Sequence, residues 1–202
     1  MADIKDLLPH LSLKERVDIA KQGRYLEQLI NDKAPEVRRE VARNGYGLNK
    51  LINDEDSLVR IIIAQQGYGL SKLINDRDYW VRRAVAEQGY GLDKFVNDES
   101  GMVRMIVARQ GHRLEKLIND KEWYVRREVA LNGYGLNKLK NDTNREVRQT
   151  ARDTLWQQRY ESIREVLADD ILEGEETFDF RTENNDDRTI STTHRLINDF
   201  NR

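Results

Sequence analysis

The chain has 202 residues, 38% hydrophobic and 35% charged, with a formal net charge of −2. It contains no cysteine, which excludes a disulfide framework and a thiolate zinc site, and no run near the roughly 18 apolar residues that a transmembrane helix needs. The opening MADIKDLLPHLSLKER lacks a basic region followed by an apolar block, so no signal peptide is expected and a soluble, cytoplasmic protein is the simplest reading.

The first element begins near residue 10. LKERVDIAKQGRYLEQLIND places Arg16, Ile19, Ala20, Gly23, Leu26, Leu29 and Ile30 in register with the repeats downstream, and reads as a degenerate first repeat. Six copies of a 22-residue unit start at residue 31. Asn-Asp opens each copy at 31/32, 53/54, 75/76, 97/98, 119/120 and 141/142, and Val-Arg comes next at 37/38, 59/60, 81/82, 103/104, 125/126 and 147/148. Self-similarity at such a period means stacked helical units that bury their apolar faces only against neighbours.

Within NDKAPEVRREVARNGYGLNKLI, Val37, Val41 and Ala42 form the inner stripe of a helix of about ten residues. Pro35 suits its first turn, where a missing N–H is harmless. Asp56, Asp78, Ser100 and Asn144 replace Ala34 in later copies and are expected to cap. Gly45 ends the helix, and Leu48, Leu51 and Ile52 predict a second segment of one or two turns. One unit cannot offset its own ordering entropy at about 1.5–3 kcal/mol per buried aliphatic side chain; a stack can.

The sixth copy breaks after Arg148: Arg152 replaces the small alanine and the glycine disappears. RDTLWQQRYESIREVLADDILEG carries Trp156, Tyr160, Ile163 and Leu167 on a helical stripe, which predicts a capping helix over 153–174 that closes a solenoid spanning 1–152. Residues 175–202 read as an acidic flexible tail, with HRLINDF echoing the internal HRLEKLIND. The charge is unevenly divided: residues 1–150 hold 27 basic and 23 acidic side chains, and residues 151–202 hold 7 and 13.

The pattern N-D-x4-V-R-x2-V-A-x2-G-x2-L-x2-L over residues 10–152 resembles the leucine-rich-repeat variant family and, more distantly, HEAT repeats. The resemblance implies an all-α, right-handed superhelical solenoid of alternating long and short helices, about seven repeats here. Gly-Tyr-Gly stands where that family usually has a proline-containing turn.

Four sets of residues are candidates for function. The Asp column (Asp32 to Asp142) and the Arg column (Arg38 to Arg148) could hold phosphates, but the HEAT resemblance implies an inter-repeat ladder of hydrogen bonds. Lys50, Lys72, Lys94, Lys116 and Lys138, with Arg39, Arg83 and Arg127, could follow a nucleic-acid backbone or form an ordinary solvated face among Glu36, Glu40, Asp93, Glu115 and Glu128. Tyr46, Tyr68, Tyr90 and Tyr134, with His112 in the fourth copy, could stack bases or cover the next repeat. Tyr79, Trp80, Trp123 and Tyr124 occur in only two copies, which suits either a partner-binding surface or packing between alternate repeats. His10, His112 and His194 are scattered and no cluster has metal-ligand spacing, so neither catalysis, a metal nor another cofactor is expected. A non-enzymatic adaptor or inhibitor of a protein partner is the leading expectation, and nucleic-acid binding the alternative.

Overall fold

A computed structural model of the protein describes residues 7–171, with side chains through residue 165. Two compact units divide the chain, Met1–Gln157 and Gln158–Arg202. The expected tail over 175–202 lies outside the described residues, as does the HRLINDF segment.

Every element described is helical. After a 3₁₀ turn at Leu8–His10, nine-residue helices α1 (Leu13–Lys21), α3 (Pro35–Arg43), α5 (Ser57–Gln65), α7 (Tyr79–Glu87), α9 (Gly101–Arg109) and α11 (Trp123–Leu131) alternate with four-residue helices. These short helices are α2 (Leu26–Leu29), α4 (Leu48–Leu51), α6 (Leu70–Leu73), α8 (Leu92–Phe95), α10 (Leu114–Leu117) and α12 (Leu136–Leu139). The last helix, α13, runs from Arg145 to Ile171. From α1 to α11 each long helix packs against the long helices before and after it, so the first unit is a helical repeat array.

The periodic columns make the core. Val37 and Val41, Val59 and Ile63, Val81 and Val85, Val103 and Val107, Val125 and Val129 are all fully buried, and Val147 and Ala151 continue both columns into α13. The alanine after each second column residue, such as Ala42 or Ala86, is also fully buried and lets adjacent backbones approach.

Local chemistry sets the boundaries. Ser12 and Glu15 form a reciprocal capping box at the start of α1. Asp56 caps Val59 N–H at 3.1 Å and Asp78 caps Trp80 N–H at 2.9 Å, while Asn144 accepts from Glu146 N–H at 2.9 Å. Ser100 differs from expectation: its side chain makes no cap, and the first turn of α9 is closed by Val103 N–H donating to Ser100 C=O at 3.1 Å. Each long helix up to α11 stops on a left-handed glycine, Gly45 having φ +72°. Leu155 occupies that place in the last copy, so nothing halts α13 and the boundary expected between 152 and 153 falls inside a continuous helix.

Two ladders join neighbouring repeats. In the first, each guanidinium forks onto the aspartate 16 residues ahead, with Nε–Oδ2 distances of 2.7 Å for Arg16–Asp32, Arg38–Asp54, Arg60–Asp76 and Arg126–Asp142, 2.8 Å for Arg82–Asp98 and 2.6 Å for Arg104–Asp120. Arg38, Arg60, Arg82, Arg104 and Arg126 also donate from Nη1 to the carbonyl six residues behind, as Arg60 does to Asp54 at 2.7 Å, and Arg16 donates to Leu11 C=O at 2.6 Å. Asp76 Oδ1 also accepts Asp78 N–H at 2.9 Å, so one carboxylate both joins layers and fixes the turn. Alternate rungs gain a second acid: Glu55 lies 3.3 Å from Arg38 and Glu99 3.0 Å from Arg82. The expected hydrogen-bonded ladder is therefore present, and the aspartate column is not free to meet a ligand.

Ladder electrostatics predict an acid limit to stability. The Arg126 guanidinium holds the Asp142 carboxyl below the ordinary carboxylate range despite its burial. Burial pushes Asp76 and Asp120 upward, but Arg60 and Arg104 with backbone N–H groups outweigh it, and both end lowered. A depressed folded pKa stabilises fully above the unfolded value, about 3.9 for aspartate, and that contribution disappears as pH falls through the folded values. Thermal melts between neutral and strongly acid pH should hold a plateau down to about pH 4 and then drop.

Candidate interaction surfaces

The aromatics at the start of two long helices differ in exposure by ring type. The first two residues of a long helix point about 100° apart, so adjacent aromatics there need not share one environment. In α7, Tyr79 is half-buried against the core and Trp80 is 42% exposed, with ring centroids 5.0 Å apart. The guanidinium of Arg83 sits 5.1 Å over the Trp80 ring and pairs with Glu87 at 2.9 Å. That stack accounts for the burial of Arg83 Nε without a hydrogen bond.

In α11 the roles reverse. Trp123 is 41% exposed, and Tyr124 is half-buried with its hydroxyl against Gly101, where any Cβ would collide with it. Burial pushes the Tyr124 phenol up. Of the four aromatics singled out in the sequence, two thus pack between repeats and two face outward. Leu58 and Leu131 are also exposed on the long helices, and Ile61 and Met105 are half-buried against the core.

The second arginine column is engaged within the chain. Arg39 grips Asp56 through two bonds of 3.0 and 2.7 Å, Arg83 holds Glu87, and Arg127 lies 3.8 Å from Glu128. The lysine column is different: Lys50, Lys72, Lys94, Lys116 and Lys138 are all exposed on the short helices. Lys50, Lys72 and Lys116 line shallow grooves between successive repeats together with the Asn-Asp segments. Lys94 donates to Asn75 Oδ1 and Lys138 to Asn119 Oδ1.

The turn tyrosines Tyr46, Tyr68, Tyr90 and Tyr134 form an exposed column on the opposite ends of the long helices. His112 replaces tyrosine in the fourth copy and meets Asp93 at 3.1 Å, beside Arg113, which meets the same carboxylate at 2.8 Å. Arg113 has φ +52°, a left-handed position that glycine fills in four other copies. A Cβ on Gly47, Gly69, Gly91 or Gly135 would run into the δ-methyl of the isoleucine 17 residues earlier. Before Arg113 that position is Val96, which has no δ-carbon, so a side chain fits. Among the described residues no group of three or more His, Asp or Glu converges as a metal site, and no helix there is long and apolar enough to cross a membrane.

Sequence reasoning missed a second ladder. Asn44, Gln66, Gln110 and Asn132 donate side-chain amides to the carbonyls of Ala20, Ala42, Ala86 and Ala108 at 2.7–3.0 Å, closing the end of the preceding long helix. The signal was the strict Asn/Gln choice before each helix-ending glycine. No protein-family model, curated protein or solved structure matches the chain.

Proposed function

We propose that the chain is a non-enzymatic interaction module, an adaptor or inhibitor, that binds a protein partner through the outer face of its long helices. Trp80 and Trp123 are the anchors. The observation that supports this is their outward placement beside Tyr79 and Tyr124, which the fold does use for packing. Large aromatics held partly in water cost solvation and are the side chains that dominate binding energy when covered. A right-handed superhelix of the leucine-rich-repeat variant type is the architecture this reading assumes; the alternation of nine-residue and four-residue helices is in keeping with it.

Nucleic-acid binding through the Lys and Arg columns has less support, because Arg39, Arg83 and Arg127 all have carboxylate partners in the chain. The test is capture of partner from a lysate by wild type and by Trp80→Ala/Trp123→Ala. Each truncation at an anchor should cost about 2 kcal/mol, roughly 30-fold in affinity, with an unchanged melting temperature. Unfolding of the variant would make the tryptophans core residues and end the proposal. A mobility assay at two salt concentrations separates the alternative, since counterion release makes duplex binding steeply salt-dependent.

A further inference from the structure

The asparagine of each Asn-Asp pair is repeated in all six copies although its side-chain N–H groups bond to no described residue. Asn31, Asn53, Asn75, Asn97, Asn119 and Asn141 are all exposed. None has the positive φ that would make asparagine a turn requirement, since Tyr25 and Arg113 are the non-glycine residues in that region. Their neighbours one residue on are each committed to a ladder arginine. The oxygens of Asn75 and Asn119 accept from Lys94 and Lys138, and no amide N–H of the column donates to any described residue. The position two residues beyond each asparagine differs between copies (Lys33, Glu55, Arg77, Glu99, Lys121, Thr143), so copying alone does not explain the constancy.

The same edge is cationic. The ladder aspartates are neutralised by their arginines, which leaves the five column lysines with Lys33, Arg77 and Lys121 against the exposed Glu55 and Glu99. The grooves lined by Lys50, Lys72 and Lys116 therefore set asparagine amides beside lysine, and Asn75 and Asn119 keep their N–H donors free while bonded to Lys94 and Lys138. An amide offers a donor and an acceptor side by side, the complement of a peptide group; a phosphodiester backbone offers acceptors alone and would leave the amide oxygen idle. Packed helices lie about 8–10 Å apart. A polyproline II strand advances about 3.1 Å per residue with three residues per turn, so its like-facing side chains recur every ~9 Å, and its N–H and C=O groups have no internal partners.

We propose that this Asn/Lys edge is a second binding surface, separate from the tryptophan face, for an acidic polypeptide segment in polyproline II conformation with Asp or Glu at every third residue. The asparagine amides pair with its backbone and the lysines with its carboxylates. The probe is a fluorescent peptide of four Glu-Ala-Pro triplets, compared with a peptide of the same composition carrying its four glutamates in one block, and with a thymidine oligonucleotide of equal length. The full chain should bind the triplet peptide at least about tenfold more tightly than either control, and the binding should weaken with salt. Asn53→Ala/Asn75→Ala/Asn97→Ala should lower affinity about tenfold at every salt concentration, whereas Lys50→Ala/Lys72→Ala/Lys116→Ala should flatten the salt dependence. Equal binding of the block peptide removes the register, tighter binding of the oligonucleotide assigns the edge to nucleic acid, and an asparagine variant with wild-type affinity removes the amide ladder; each overturns the proposal, as does no binding at low salt. The comparison of probes on the wild-type protein needs no variant to fold.

Discussion

Arg60→Met should destabilise the array by about 3–5 kcal/mol in urea denaturation, far more than a surface charge deletion. Arg60 and Asp76 are 6% and 8% exposed at the side chain, and the guanidinium bridges Asp76 Oδ2 at 2.7 Å, Asp76 Oδ1 at 2.9 Å and Asp54 C=O at 2.7 Å. Methionine preserves the apolar stem and removes every donor, leaving a buried carboxylate with only the Asp78 N–H. Combining it with Asp76→Asn removes that orphan charge, so the double variant should be less destabilised than the sum of the singles by about 0.5–3 kcal/mol. Arg148 is the internal control: it donates to the carbonyls of Asp142 and Thr143 at 2.7 and 2.9 Å and has no carboxylate rung among the described residues. Its replacement should cost markedly less. An Arg60→Met loss under about 1 kcal/mol would place the rungs with ordinary exposed ion pairs.

Gly69→Ala carries the second large effect, because two costs coincide. At φ +62° an L-residue loses about 1–2 kcal/mol. The new methyl also lands on Ile52 Cδ1, an overpacking cost of about 1–3 kcal/mol in a position where Ile52 is buried. Ile52→Val alone should cost about 0.5–1.5 kcal/mol. In the Gly69→Ala background it should instead recover stability, because it vacates the volume the methyl needs, as Val96 does for Arg113. The cycle separates backbone strain from crowding: what valine restores is crowding, and what remains is the left-handed backbone. Additive single effects in urea would mean the δ-methyl simply moves aside.

Features carried by every copy are legible in the sequence. The valine columns, the helix-ending glycine and the Arg–Asp register recur, and recurrence filters out residues that serve one site. Features that depend on how individual side chains pack are not. Tyr79 and Trp80 are adjacent in sequence, and nothing in that pair says which ring turns inward; in α11 the tyrosine again goes inward, but from the second position rather than the first. Ser100 has capping chemistry yet makes no cap, and α9 begins with Gly101 against the Tyr124 hydroxyl of the next repeat. The continuation of α13 is readable at Leu155, where a side chain replaces the glycine that stops its predecessors. Glu40 and Glu128 are buried, beside Arg43 and Arg109 respectively, although charge patterning alone assigns them to a solvated face.

The second acid on alternate ladder rungs gives the array a parity. Glu55 follows Asp54 and supports Arg38, Glu99 follows Asp98 and supports Arg82, while Arg77 and Lys121 occupy the same place after the rungs between. Excising residues 55–76 would join Asp54 to Arg77 and put a cation beside Arg38 where an anion stood. Excising 55–98 would join Asp54 to Glu99 and restore the original neighbour. Every Arg–Asp rung closes in both cases, but only the second leaves the charge order intact. From Asp32 to Lys121 the charge order of the ladder therefore recurs over a pair of repeats, although the helices themselves recur singly.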